Sequence, residues 1–237
     1  RLNSSHITIS YAVFCLKNGT ASNNVITGTD GNDIIDGLAG HDSLNGGLGD
    51  DLIIGGTGND TLRGGDGDDT FSIEGTDQGS DRVLGGDGFD TILGGDGDDD
   101  ITLSALLASD SVERIEGGAG TNRILGTSSN SSLDFSGTEL LNIASIDGGA
   151  GHDNITGSSG DDLIIGGTGN DTLRGGDGDD IYQFASGDGH DTINNIGADV
   201  TEIDSLIFGD VANDNLWLSR SGDNLIVDVV GTDDWVN

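Results

Sequence analysis

An apolar residue recurs at a fixed interval along most of this 237-residue chain. From Gly28 it reads GTDGNDIID, GLAGHDSLN, GGLGDDLII, GGTGNDTLR and GGDGDDTFS, ending at Ser72. Ile73, Glu74 and Gly75 break the phase, which resumes as TDQGSDRVL, GGDGFDTIL and GGDGDDDIT up to Thr102. A second run starts at Gly148 with GGAGHDNIT, GSSGDDLII, GGTGNDTLR and GGDGDDIYQ, and closes with SGDGHDTIN at Asn194. Each unit opens on a glycine-rich polar hexapeptide and ends on alternating residues, one side chain inward and its neighbours outward. The pattern predicts one turn and one very short strand per unit, with two units to a coil. Turns of units n and n+2 then stack about 4.8 Å apart. The fold class expected is all-β, a solenoid of stacked short strands.

Three columns persist through all thirteen units. Position four is glycine and position eight is apolar, from Ile35, Leu44 and Ile53 to Tyr182 and Ile193. Position six is always aspartate: Asp33, Asp42, Asp51, Asp60, Asp69, Asp81, Asp90, Asp99, Asp153, Asp162, Asp171, Asp180 and Asp191. Stacking puts Asp33, Asp51 and Asp69 on one edge and Asp42, Asp60 and Asp81 on the other.

Composition turns that stacking into an electrostatic problem. Asp and Glu total 43 against 8 Lys and Arg, a formal charge of −35, and glycine contributes 44 residues while proline contributes none. Only Glu74, Glu113, Glu116, Glu139 and Glu202 are glutamates. A chain this acidic, with 4% aromatics, is expected to be disordered unless something neutralises it. Scarce Lys and Arg exclude a sequence-independent nucleic-acid binder. Rows of carboxylates at strand spacing need a counter-charge. Carboxylate and carbonyl oxygens are hard ligands that suit Ca²⁺, and Mg²⁺ is less suited because it demands strict octahedral geometry. Calcium between turns n and n+2 is the cofactor this predicts, at most six ions in the first run and three in the second, about nine in all.

The unit GGxGxDxUx, with U apolar, resembles the calcium-binding nonapeptide of the repeats-in-toxin (haemolysin-type) proteins. GGTGNDTLR, GGDGFDTIL and GGAGHDNIT match it most closely, and the resemblance covers roughly residues 25–208. It implies an all-β fold, a right-handed parallel β-roll or β-helix solenoid with calcium in the turns, together with type I secretion and attachment to a larger exoprotein. It also implies that the thirteen position-six aspartates are ligands together with turn carbonyls. Those fall at Gly46, Gly47, Gly49, Gly55, Gly56, Gly58, Gly64, Gly65, Gly67, Gly85, Gly86, Gly88, Gly94, Gly95 and Gly97 in the first run. In the second they fall at Gly148, Gly149, Gly151, Gly166, Gly167, Gly169, Gly175, Gly176 and Gly178. Gly37-Leu38-Ala39, Thr76-Asp77-Gln78 and Gly157-Ser158-Ser159 lack the second glycine, so weaker sites are expected beside them.

The organisation expected is a flank or cap strand over 1–24, a first calcium-binding array over 25–102, coils or a linker over 103–147, a second array over 148–194, and a C-terminal β cap over 195–237. Within the middle segment, 103–116 reads either as a short helix or as a wider coil with Val112 and Ile115 inward. GGAGTNRIL (117–125) keeps the nonapeptide frame but carries Asn122 where the charge belongs. The preferred reading continues the solenoid without metal; two rolls and a folded linker is the other. Trp217 and Trp235 are read as cap core, the family resemblance implies a cap that runs further than Asn237, and the start at Arg1 suggests a preceding portion. Cys15, the one cysteine, excludes an intramolecular disulfide, and no apolar run approaches a membrane span of about 20 residues.

No catalytic constellation emerges. HExxH, GxSxG, Walker A and GxGxxG motifs are absent from the sequence, and His41, His152 and His190 occupy position five, read as solvated turn residues. The expected function is a calcium-dependent folding and secretion module without enzyme activity of its own. The alternatives are a polysaccharide-binding module, like the accessory modules of alginate epimerases, and a structural spacer of a surface adhesin.

Overall fold

A computed structural model describes residues 15–76, 78–194 and 202–209 in full, and the backbone of the strands Leu216–Ser221, Asn224–Val229 and Trp235–Val236. Residues 1–14 of the expected flank, Asp77, residues 195–201 and the two tryptophan side chains lie outside the described residues.

The described chain is a parallel β-solenoid with one 3-10 turn, Ala108–Asp110. Its strands form hydrogen-bonded sheets of seven, ten and seven members. In the first run, strands such as Asp33–Leu38, Leu52–Ile54 and Thr70–Ser72 stack in the first sheet. They alternate with Ser43–Leu48, Thr61–Asp66 and Asp81–Asp87 in the ten-stranded sheet. Partners lie 18 residues apart in the regular coils, two nonapeptides, and 21 apart across the Ile73–Gly75 insertion. The n to n+2 stacking read from the pattern is the observed register.

The middle segment is built differently. Arg114–Glu116 belongs to the first sheet, Asn122–Leu125 to the ten-stranded sheet and Ser132–Asp134 to the third. Glu139–Leu141, Ile143–Asp147 and Asn154–Thr156 repeat that order, so these coils have three sides. Their strand partners are 21 to 25 residues apart. The change of section begins in Asp100–Ala105, whose first half pairs Arg123–Leu125 and whose second half pairs Asp81 and Arg82. Leu106 then bridges to Leu133, where the third sheet begins. After Leu141 the first sheet ends, and the second run alternates between the other two.

The core follows from this section. Every position-eight residue is buried except Ile193, which is half-buried against the core. A two-sided coil has room for little more than that column. The wider three-sided coils need more volume, and the non-repeating sequence supplies Leu103, Leu106, Val112, Leu133 and Phe135, all buried. Segment 103–116 is therefore the wider coil, not a longer helix. It is held by a two-pronged ion pair from Arg82 to the buried carboxylate of Asp110. At the C-terminal end, Leu216–Ser221 and Asn224–Val229 form an antiparallel hairpin. Trp235–Val236 joins that hairpin to His190–Asp191, covering the open edge of the third sheet.

Candidate metal centre

Each turn hands its polar groups to the neighbouring coil. The backbone N–H of Asp33 donates to Oδ1 of Asp51 (2.7 Å), Asp51 to Asp69 (2.8 Å), and Asp69 to Asp90 (2.9 Å). On the opposite edge Asp42 donates to Asp60 and Asp60 to Asp81. In the second run Asp153, Asp171 and Asp191 form one row, and Asp162 and Asp180 another. Asp99 stands in a third row, accepting from the Gly75 N–H and donating to Asn122. All thirteen position-six aspartates are 9% exposed or less.

One carboxylate oxygen is thus spent on the backbone, and the other is the chemically available one. Oδ2 of Asp42, Asp51, Asp60, Asp69, Asp90, Asp153, Asp171 and Asp180 is buried without a hydrogen-bond partner. A buried, unpaired carboxylate oxygen is costly. These oxygens face a small cradle closed by backbone. At Gly46 a side chain would lie closer than 3.0 Å both to Asp51 Oδ2 and to the carbonyl oxygen of Gly64 one coil on. Gly28, Gly64, Gly94, Gly148 and Gly157 face the corresponding pair of oxygens, and at Gly55, Gly166 and Gly175 the carboxylate alone closes in. Position two is glycine for a different reason: Gly47 holds φ 120°, a region that side chains rarely adopt. Gly97 faces open space and stands apart from the cradles.

Three turns bond Oδ2 themselves, and at Asp33 it is Oδ1 that is left buried without a partner. Oδ2 of Asp33, Asp99 and Asp162 accepts the N–H of Thr29, Gly95 and Ser158 respectively, and the hydroxyls of Thr29 and Ser158 add a second bond. Ser158 is a position where the repeat departs from its second glycine, so that departure has a structural consequence.

Burial pushes the aspartates up, the hydrogen bond from the preceding coil pulls them down, and neighbouring carboxylates push up again. Asp69, Asp81 and Asp180 rise to about 7, and Asp90 and Asp153 to about 6. Asp51, Asp60, Asp162 and Asp171 move the same way, with burial the largest cause. A cation beside Oδ2 reverses this balance. Among the described residues no three His, Cys, Asp or Glu side chains converge on one point. The donor set is therefore one carboxylate per turn with backbone carbonyls, all hard oxygen. It fits a divalent ion such as calcium and offers nothing to a thiophilic metal.

Some rungs of these ladders are not position-six aspartates: Asp204 and Glu113 lie outside the nonapeptide frame, and Asn122 holds position six of GGAGTNRIL. Asp204 Oδ1 accepts the Asp180 N–H (2.9 Å), Asn122 Oδ1 accepts from Asp99, and Glu113 Oε2 accepts from Asp90. The signal was a polar residue two before an apolar one, as in Asp204-Ser205-Leu206 and Glu113-Arg114-Ile115. Position five carries a second ladder running the opposite way. Asp68 donates its N–H to Asp50 Oδ1, Asn59 to His41 Nδ1 and Asn170 to His152 Nδ1. His41 and His152 are exposed, yet they are rungs of this ladder and not merely solvated, as the sequence reading had it.

The fold and its rows of buried aspartates define a metal-binding β-solenoid, with each cradle shared by adjacent coils. The family model described as RTX calcium-binding nonapeptide repeat (4 copies) matches residues 18–53, 45–72, 76–105, 108–134 and 146–182. The chain belongs to that family and is a calcium-binding β-roll. The repeats are structural elements, not catalytic ones. No curated protein matches the chain. Among solved structures, the extracellular lipase LipA from Serratia marcescens aligns over 96% of this chain and 38% of its own, with 17% identity and a TM-score of 0.26. A likeness that slight carries no argument.

Proposed function

We propose that this chain is a calcium-folded module of a secreted bacterial exoprotein. On this reading it is unfolded at low cytosolic calcium, leaves the cell by type I secretion, folds outside, and stabilises an attached domain. The observation that carries it is the set of buried, unpartnered Oδ2 atoms along both edges. Without a counter-charge those carboxylates oppose the burial of the apolar column between them, and the formal charge of −35 adds to the opposition. When bound, calcium would supply positive charge between adjacent coils. Asp51, Asp69 and Asp153 with their facing turn carbonyls, and the carboxylates of Asp60, Asp171 and Asp180, would hold it. The first-run and second-run turns together provide for about nine ions. Circular dichroism of the chain in EGTA and in millimolar calcium tests the reading. Strand signal that appears only with calcium supports it, and equal strand content in both would overturn it.

A further inference from the structure

The buried carboxylates with an unpartnered oxygen fall into two groups. Among the described residues they run from Asp33 to Asp90 and from Asp153 to Asp180, and none lies between. Across that gap the chain meets its own polar needs. Asp99 accepts the Gly75 N–H with Oδ1 and the Gly95 N–H with Oδ2. Asp110 is held by Arg82 and by the Leu107 N–H. Ser131 Oγ accepts the Thr127 N–H and donates to the Ser129 carbonyl, and Thr138 Oγ1 donates to the Val112 carbonyl.

Two turns of this stretch keep the cradle shape with a neutral group in the carboxylate's place. At Gly117 a side chain would lie closer than 3.0 Å to Asn122 Nδ2 and to the Asn142 carbonyl oxygen. That Nδ2 donates to that carbonyl at 3.1 Å. In the regular turn at Gly46 the same two places hold two oxygens, Asp51 Oδ2 and the Gly64 carbonyl. Two facing acceptors need a cation between them, whereas a donor facing an acceptor does not. At Gly126 the pair is Ser131 Oγ and the Gly148 carbonyl, again without charge.

Packing acts in the same direction. Leu103, Leu106, Val112, Leu133 and Phe135 add buried apolar volume here and nowhere in the regular coils. The ion pairs Arg82–Asp110, Arg114–Glu139 and Arg123–Asp100 each tie one coil to another. The stretch also offers each run a formed edge. The Asp90 N–H donates to Glu113 Oε2 on one side, and the Ser131 N–H donates to Asp153 Oδ1 on the other.

We propose that the three-sided middle, residues 103–147, is the seed of the solenoid. Its coils close at calcium levels too low for either run, and the two runs then extend from its ends as their cradles fill. In a solenoid each coil contacts only its neighbours, so a coil that forms first templates the next. The proposal rests on the reading that calcium folds the repeat turns, and adds the order in which the chain folds.

Hydrogen exchange read by mass spectrometry on the full chain, at stepped free calcium from EGTA to millimolar, resolves that order. Peptides within 114–147 are expected to gain protection at a several-fold lower calcium midpoint than peptides within 33–72 and 171–193. One shared midpoint, or a lower midpoint in either run, overturns the seed. Should no peptide of the runs gain protection with calcium, the underlying reading is overturned instead. Asn122→Asp keeps the Oδ1 acceptor for the Asp99 N–H and replaces the donor with a charged oxygen. The midpoint of 114–147 is then expected to rise toward that of the runs. An unchanged midpoint overturns the part assigned to the amide.

Discussion

The backbone N–H of Asp51 donates to Oδ1 of Asp69 at 2.8 Å, and Oδ2 of the same Asp69 is buried with no partner. The two oxygens of one carboxylate therefore do separate jobs, one joining coils and one facing the cradle. Asp69→Asn keeps an oxygen for the hydrogen bond and loses the charge, whereas Asp69→Ala loses both. In calcium titrations followed by circular dichroism, Asn is expected to raise the midpoint several-fold. Ala should raise it further, because it also leaves a buried N–H unpaired, at about 1–3 kcal/mol.

The cradle can be closed from the backbone side. Gly46→Ala would place a methyl against Asp51 Oδ2 and the Gly64 carbonyl, while Gly97→Ala meets nothing within 4 Å. Calcium-dependent folding should be severely weakened in the first variant and nearly unchanged in the second. Equal calcium midpoints for the two would contradict the assignment.

The apolar column sets stability once the rows are neutralised. Ile53 and Leu62 are fully buried, whereas the neighbouring Leu52 points outward and is half-buried. Ile53→Ala or Leu62→Ala should cost about 2–5 kcal/mol. Leu52→Ala should cost well under half of that. Urea denaturation in saturating calcium measures both.

Acidification should partly substitute for calcium. Burial raises Asp69, Asp81 and Asp180 to about 7 and Asp90 and Asp153 to about 6 in the folded chain, from the ordinary aspartate value of 3.8. A raised folded-state value means the folded form holds more protons, so its stability is fullest below about pH 4 and is lost as pH rises through 6 to 7. In EGTA, strand signal should therefore increase from pH 7.5 to pH 4.5. A flat or falling signal would contradict the burial of these groups.

The Arg82–Asp110 pair should matter more than surface ion pairs. Asp110 is 4% exposed, and Arg82 supplies both of its guanidinium contacts, while Arg114–Glu139 lies in the open. Arg82→Met leaves a buried charge unpaired, which costs about 3–5 kcal/mol. Arg114→Met should cost less than about 1 kcal/mol. Chemical denaturation in calcium compares the two.

Much of this was legible because a repeat states its own geometry. A nine-residue period with one invariably apolar position per unit leaves few options for Ile35, Leu44, Ile53 and Leu62 other than a stacked column. The edges on which Asp33, Asp51 and Asp69 or Asp42, Asp60 and Asp81 fall follow from two units per coil. Glu113 and Asp204 lie outside the glycine frame, so only hydrogen bonding between coils reveals their membership, whereas Asn122, in frame at position six, keeps its rung of the ladder without the charge. The ladder through His41 and His152 was hidden for a related reason. A side chain bonded 18 residues away leaves no local trace.

The sequence by itself determined the two-unit coil, the inward column, the paired rows of aspartate and, through its −35 charge, the need for a cation. These are periodic and local properties, set by spacing and by charge. Only the tertiary structure decided how the two runs are joined. A three-sided section lets the first sheet end at Leu141 and the third begin at Ser132, because the lengthened coils enclose enough volume for Leu103, Leu106, Val112 and Phe135. It also decided which carboxylate oxygens are engaged and which are left for metal. That division depends on a neighbouring coil being in place, and no single nonapeptide carries it.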